Sequence, residues 1–199
     1  YTINLFYLEM LITAFGRAGI HLSEERHLHI ADIGPGAWAY TPALHAFFQT
    51  WKSTSKRSLR LDGYEIDAYR VFNDLHSRYD HATRNIQGLN GTEIIPREFE
   101  ECPQTYDIVV LFYPFILIDD HLDWGLPKGL FQPTRLLNAA WNSLKSGGAL
   151  FVANQGPTEF EEQQRLFALL GIQGGESFQF ESDLHPYEIP RFAHIRRKS

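Results

Sequence analysis

The chain has 199 residues, 44% hydrophobic, 14% aromatic and 21% charged, enough to bury a true core in one domain and too apolar for a disordered chain. Its net charge of −6 argues against an extended nucleic-acid surface, and the basic stretches 52–60 and 196–198 read as solvated loop and terminus. One cysteine, Cys102, excludes an internal disulfide and a thiolate metal cluster, and no apolar run approaches the roughly 18–20 residues that span a bilayer.

In chain order, residues 1–19 read as a helix, with Ile3, Phe6, Tyr7, Met10, Leu11, Phe15 and Ala18 on one broad face. A strand over 27–33, a helix over 41–51 and a strand over 58–65 follow. The three- and four-residue spacing of Val71, Phe72, Leu75 and Tyr79 predicts a helix over 68–87, with Asp67 as its N-cap. A short strand at 92–95 ends at Pro96. Residues 107–113 form a near-continuous apolar run, as expected of a parallel strand covered on both faces. The aromatic-rich segment 114–132 reads as a functional loop. A helix over 133–145 is expected to stop at Gly147-Gly148, ahead of a buried strand at 149–153. Thr158 and Glu161 have the spacing of a capping box for a helix over 158–170. Alternation in 176–184 and 191–197 predicts a closing antiparallel pair. The order defines an α/β fold: a doubly wound, mostly parallel seven-stranded sheet with helices on both faces and an antiparallel C-terminal hairpin. It makes one domain, an N-terminal helical segment (1–22) followed by a core (27–197).

The turn Asp32-Ile33-Gly34-Pro35-Gly36 lies between the first strand and the next helix. Glycines there let the backbone turn sharply and approach a ligand, and the following helix N-terminus favours electron-rich atoms. At the end of the second strand stands Glu65, where a carboxylate can accept from both hydroxyls of a ribose. Together these features imply a site for an adenosine-containing cofactor.

With Gly63-Tyr64-Glu65-Ile66-Asp67, the strand 106–113, the Ser146-Gly147-Gly148 turn and the terminal hairpin, the chain resembles the class I S-adenosylmethionine-dependent methyltransferases over 27–197. The resemblance implies S-adenosyl-L-methionine as cofactor. It implies that Asp32 orients the glycine loop and helps hold the methionine amino group, and that Gly34 and Gly36 admit the cofactor. Glu65 would bind the ribose, Ile66 would pack on adenine, and Phe112 and Tyr113 would lie between cofactor and substrate. Two positions depart from the family pattern. Trp38 stands where a third glycine is frequent, and the adenine contact after the third strand has only Asn90 or Thr92 to supply it.

Methyl transfer to a protonated nucleophile calls for a base, and Tyr113, Asp120 and His121 are the candidates. The cluster Asp119, Asp120, His121, Asp123 reads as a solvated turn, so no metal is assigned. Phe112-Tyr113-Pro114-Phe115 lacks the Asn/Asp-Pro-Pro-aromatic pattern used on exocyclic base nitrogens. A small-molecule acceptor is therefore expected, with neither nucleic acid nor membrane as partner. The aromatic loop with Trp124 and Phe131 either lines a pocket or covers the core. Two alternatives stay open: a nicotinamide-dependent oxidoreductase, whose third glycine would be alanine here, and a non-catalytic binding domain. The cysteine usage suits the cytoplasm. The chain opens at Tyr1 rather than Met, which leaves room for upstream sequence.

Overall fold

Along the central strands neighbouring residues face opposite layers, and both layers are apolar. Ile30, Ile108, Val110 and Phe151 pack into one buried cluster, while their chain neighbours Ala31, Val109, Leu111, Leu150 and Val152 pack into another. Strands buried on both faces have no polar alternation to show, which is why they read as continuous apolar runs. The computed structural model describes residues 2–22, 27–103, 105–182 and 184–199. Tyr1 of the first expected helix and Asp183 of the hairpin segment lie outside them.

The seven strands are β1 (Leu28–Ile33), β2 (Leu59–Tyr64), β3 (Thr92–Ile95), β4 (Tyr106–Phe112), β5 (Leu144–Gln155), β6 (Glu176–Phe180) and β7 (Arg191–Arg197). Their order in the sheet is β3-β2-β1-β4-β5-β7-β6, parallel from β3 through β5, with β7 antiparallel to both β5 and β6. Helices α1 (Thr2–Arg17) and α2 (Thr41–Thr50) cover one face together with Ala82 of α3 (Arg78–Asn85). Helices α5 (Pro133–Asn142) and α6 (Gly156–Leu169) cover the other, and α4 (Ile118–Asp123) follows β4. The chain leaves β1 toward β2 on one side and reaches β4 on the other. The carboxyl ends of β1 and β4 therefore flank the crevice where open α/β sheets bind ligands.

The helix expected over 68–87 is confined to Arg78–Asn85. Ser77 and Asp80 form a capping box that starts it late, and a bridge between Val71 and Ser77 ties the preceding segment into a turn. Leu75 adopts a positive φ of 65° and is 85% exposed, so the apolar spacing of that stretch reflects no buried face. Asp67 caps no helix; its carboxylate pairs with Arg70 and, at 3.3 Å, with Arg78. Helix α5 ends at Asn142, and Gly147 and Gly148 fall within β5 beside a register shift. Helix α6 starts at Gly156, so Thr158 already lies in its first turn. The capping is done instead by Glu159, whose Oε2 accepts from the Gln155 N–H at 2.7 Å. The segment 114–132 carries α4 and a 3-10 turn at Lys128–Leu130.

Trp38 explains its own departure from the glycine pattern. It has φ of +54°, the left-handed region that favours glycine, and its indole is fully buried. The ring lies flat against Gly63 of β2, where a Cβ would come within 2.6 Å of the indole. Its Nε1–H donates to Asp32 Oδ2 at 2.7 Å. Packing and a hydrogen bond to a buried carboxylate thus offset a backbone cost of order 1–3 kcal/mol. Gly63→Ala is therefore expected to destabilise the fold by about 1–3 kcal/mol through overpacking. Denaturant unfolding of the variant checks this, and an unchanged midpoint would show that the indole can shift freely.

Candidate functional site

One cavity of about 660 Å³ opens at the carboxyl ends of β1, β2, β4 and β5. That volume falls within the roughly 300–1,000 Å³ typical of small-molecule sites. Its floor on the β1–β2 side is the loop Gly34-Pro35-Gly36. Gly34 and Gly36 have φ of +74° and +62°, and Gly34 N–H donates to the Tyr64 carbonyl at 2.8 Å. A side chain at either position would be strained, because only glycine enters that region freely.

Glu65 ties this loop to the end of β2. Gly36 N–H donates to its Oε2 and Asp67 N–H to its Oε1, each at 2.8 Å, with the Arg78 guanidinium 3.7 Å from Oε1. A carboxylate has about four lone-pair sites, so acceptor capacity remains on the side facing the cavity. Ile66 lies next along the wall, half in contact with solvent. After β3 the wall is made by Arg97, Glu98 and Phe99. Asn90 and Thr92, the positions expected to contact adenine, do not reach the cavity. They stand at the amino-terminal end of β3, whereas ligands gather at carboxyl ends.

Asp32 sits behind the loop, fully buried and off the cavity wall. Beyond Trp38, the phenol of Tyr40 lies beside its carboxylate, close enough to lower its pKa, though Oδ1 makes no hydrogen bond of regular geometry among the described residues. Burial pushes its pKa up to about 7, against the pull of Tyr40 and Trp38, with the nearby Glu65 charge adding to the rise.

The far wall comes from β4 and the segment after it. Phe112 lines the cavity and also packs in the core, its ring 4.7 Å from that of Tyr7 and 5.0 Å from that of Tyr40. Tyr113 has φ of +56° and a buried hydroxyl that makes no hydrogen bond of regular geometry among the described residues, with the Arg191 guanidinium beside it. Burial pushes its phenol far above the ordinary range. Phe115, Trp124 and Phe131 also face the cavity, so the aromatic segment lines a pocket. Trp124 reaches across to the β2 side, with the Arg78 guanidinium 4.8 Å from its ring centroid.

Asp120 and His121, both on α4, line the same cavity. His121 is buried, and its Nε2 lies 3.0 Å from the Pro127 carbonyl. A carbonyl only accepts, so Nε2 carries the proton and Nδ1 is the basic atom of the neutral ring. Tyr113, Asp120 and His121 thus line the same cavity as Gly34, Gly36, Glu65 and Ile66. Among the described residues no three His, Cys, Asp or Glu side chains gather closely enough to hold a metal ion.

Among the wall residues that the sequence did not point to are Tyr7 from α1, Glu159 from α6, and Tyr187 and Arg191 at the head of the hairpin. Glu159 had a usable signal, since it follows the carboxyl end of a parallel strand. Its carboxyl is raised by burial and, more weakly, by Asp120. Tyr7 had none, because its helix reads only as an apolar face.

No protein-family model matches the chain, and no curated protein sequence does. Solved structures do match in shape. A SAM-dependent methyltransferase from Aquifex aeolicus superposes with a TM-score of 0.60 at 14% identity, covering 100% of this chain and 99% of that one. The human methyltransferase 10 domain containing protein gives 0.57 at 14%, covering 97% and 81%. The [4+2]-cyclase SpnF gives 0.63 at 10%, covering 96% and 80%. The chain has the Rossmann-like fold of the class I S-adenosylmethionine-dependent methyltransferases. No described helix is long and apolar enough to cross a membrane.

Proposed function

We propose that the protein transfers a methyl group from S-adenosylmethionine to a small-molecule acceptor. The observation that carries this is the joint placement of Gly34, Gly36 and Glu65 on one cavity wall, backed by the buried carboxylate of Asp32. The residues present fit the cofactor. The glycine loop admits a ligand close to the backbone, and Glu65 keeps acceptor capacity for a ribose diol. Ionised Asp32 places a negative charge behind the loop, complementary to a ligand that carries an ammonium and a sulfonium. When bound, that cofactor supplies an electrophilic methyl group on sulfur.

The chain's own residues then position and deprotonate. Phe112 and the aromatic wall exclude water and hold the acceptor in line, and such positioning supplies on the order of 7–11 kcal/mol. Tyr113 keeps its proton and so acts as a donor to the acceptor. The proton leaving an oxygen or nitrogen nucleophile goes to His121 Nδ1 or to Asp120, with the raised carboxyl of Glu159 as a third acceptor on the same wall. The sheet order speaks against a nicotinamide-dependent oxidoreductase. β7 is inserted antiparallel between β5 and β6, where the dinucleotide-binding fold runs on in parallel.

Calorimetric titration with S-adenosylmethionine, S-adenosylhomocysteine and NAD tests the reading. Stoichiometric binding of the two adenosyl-sulfur ligands and none of NAD is expected. Preference for NAD would move the chemistry to hydride transfer, and silence from all three would leave a non-catalytic domain.

A further inference from the structure

Hydrogen-bond donors with unused capacity among the described residues meet at the β7 corner of the cavity. Arg191 opens β7 opposite Gln155 of β5. Its guanidinium carbon lies 4.3 Å from the Tyr187 ring centroid and 5.3 Å from that of Tyr113, so two phenols hold the cation in place. The ion pairs among the described residues do not include it. Its Nε is buried without a partner, and Nη1 makes one long contact, 3.4 Å to the Ile189 carbonyl. The other half-buried or buried cavity arginine, Arg78, is paired with Glu65 and Asp67. The buried Tyr113 hydroxyl lies beside the Arg191 guanidinium, which can only donate to its oxygen, so the phenol's own proton is left without an acceptor among the described residues. Tyr7 closes the corner, its ring centroid 6.5 Å from that of Tyr113.

A cation that no acid among the described residues neutralises, next to a buried phenol whose proton has no acceptor among them, is complementary to an oxyanion. Arginine presents a planar fork that matches a carboxylate, and charge-assisted bonds of this kind are the strong ones. The aromatic wall beside the corner suits an apolar, planar body. We infer that Arg191 and the Tyr113 hydroxyl bind the carboxylate of the methyl acceptor, which is therefore a small anionic compound with an aromatic or apolar body. The word acceptor rests on the methyl-transfer reading; the anion site does not. A carboxylate also belongs to the methionyl part of the cofactor itself. Arg191 lies three strands from β1, about 14 Å across the sheet from the glycine loop, which favours the acceptor.

The test uses benzoate and its neutral isostere benzamide, titrated into the full chain saturated with S-adenosylhomocysteine and followed by NMR shifts. Benzoate is expected to bind roughly tenfold or more tighter than benzamide. Arg191→Gln is expected to erase that preference and Arg191→Lys to keep part of it, with S-adenosylhomocysteine affinity unchanged in both. Equal binding of the two probes to the parent protein would overturn the inference, as would a preference that survives Arg191→Gln. A loss of S-adenosylhomocysteine affinity in Arg191→Gln with the probe preference intact would assign the guanidinium to the cofactor's carboxylate and overturn it too. Should the parent bind no S-adenosylhomocysteine, the methyl-transfer reading falls, and the probe ratio in the free protein decides the anion site alone.

Discussion

Asparagine at position 32 is expected to give a protein more stable than the parent above pH 7 and poorer at holding a cationic cofactor. The Asp32 carboxyl is buried to the point that its pKa rises from 3.8 to about 7. A group that binds its proton more tightly in the fold contributes stability that is full below the unfolded pKa and is lost as pH rises through the folded one. Between pH 3.8 and about 7 the parent therefore gives up on the order of 4 kcal/mol, after which the cost is flat. Asparagine keeps an oxygen for the Trp38 Nε1–H and carries no charge to bury. With each kcal/mol worth about 2–4 °C at this length, the variant should melt roughly 8–16 °C above the parent at pH 8, with a smaller gap at pH 5. Parallel melting curves in the two proteins across that range would remove Asp32 as a buried titrating group. In the cofactor assay the same substitution removes the charge behind the loop, so S-adenosylmethionine should bind at least about tenfold more weakly. Affinity in the parent should itself fall as pH drops below about 7, where Asp32 takes up its proton.

Glu65→Ala is expected to weaken S-adenosylhomocysteine binding by about 1–3 kcal/mol, or roughly five- to 150-fold. Two effects contribute. The variant loses the acceptor for the ribose hydroxyls, and it leaves the Gly36 and Asp67 N–H groups without the oxygens that now hold them. A 3′-deoxy analogue separates them. The parent should prefer the natural ligand, whereas Glu65→Ala should bind both alike, because the hydroxyl then has no partner to lose. Circular dichroism controls for folding. Unchanged affinity in a folded variant would take Glu65 out of the site and leave it as a brace for the glycine loop.

The loop and carboxylate proposed to hold the cofactor were legible because their demands are local. A turn that needs positive φ writes glycine into the chain at 34 and 36, and a carboxylate at a strand end is adjacent to that turn by sheet pairing, Ile33 opposite Tyr64. The missing third glycine looked like a defect. It is a substitution whose compensation, Gly63, lies on the next strand, out of view of any local pattern. The helix expected over 68–87 failed for a related reason. Its spacing was helical, but Val71, Phe72 and Leu75 have no layer to pack against, and a capping box at Ser77 decided the start.

The acceptor half was legible only in part. Tyr113, Asp120 and His121 follow β4 where the resembled family places substrate contacts, and all three line the cavity. Tyr7, Tyr187 and Arg191 come from the two ends of the chain and meet there only because β7 inserts antiparallel beside β5 and α1 packs over that edge.

The sequence by itself determined the doubly wound architecture, the strand count and the glycine-carboxylate frame, since periodicity, turn chemistry and strand–helix alternation act between near neighbours in the chain. The tertiary structure alone decided the raised pKa of Asp32, the conformation that Trp38 adopts, and the corner where Arg191 stands without an acid among the described residues. Each of these depends on desolvation and on contacts between segments far apart in sequence, which no local pattern encodes.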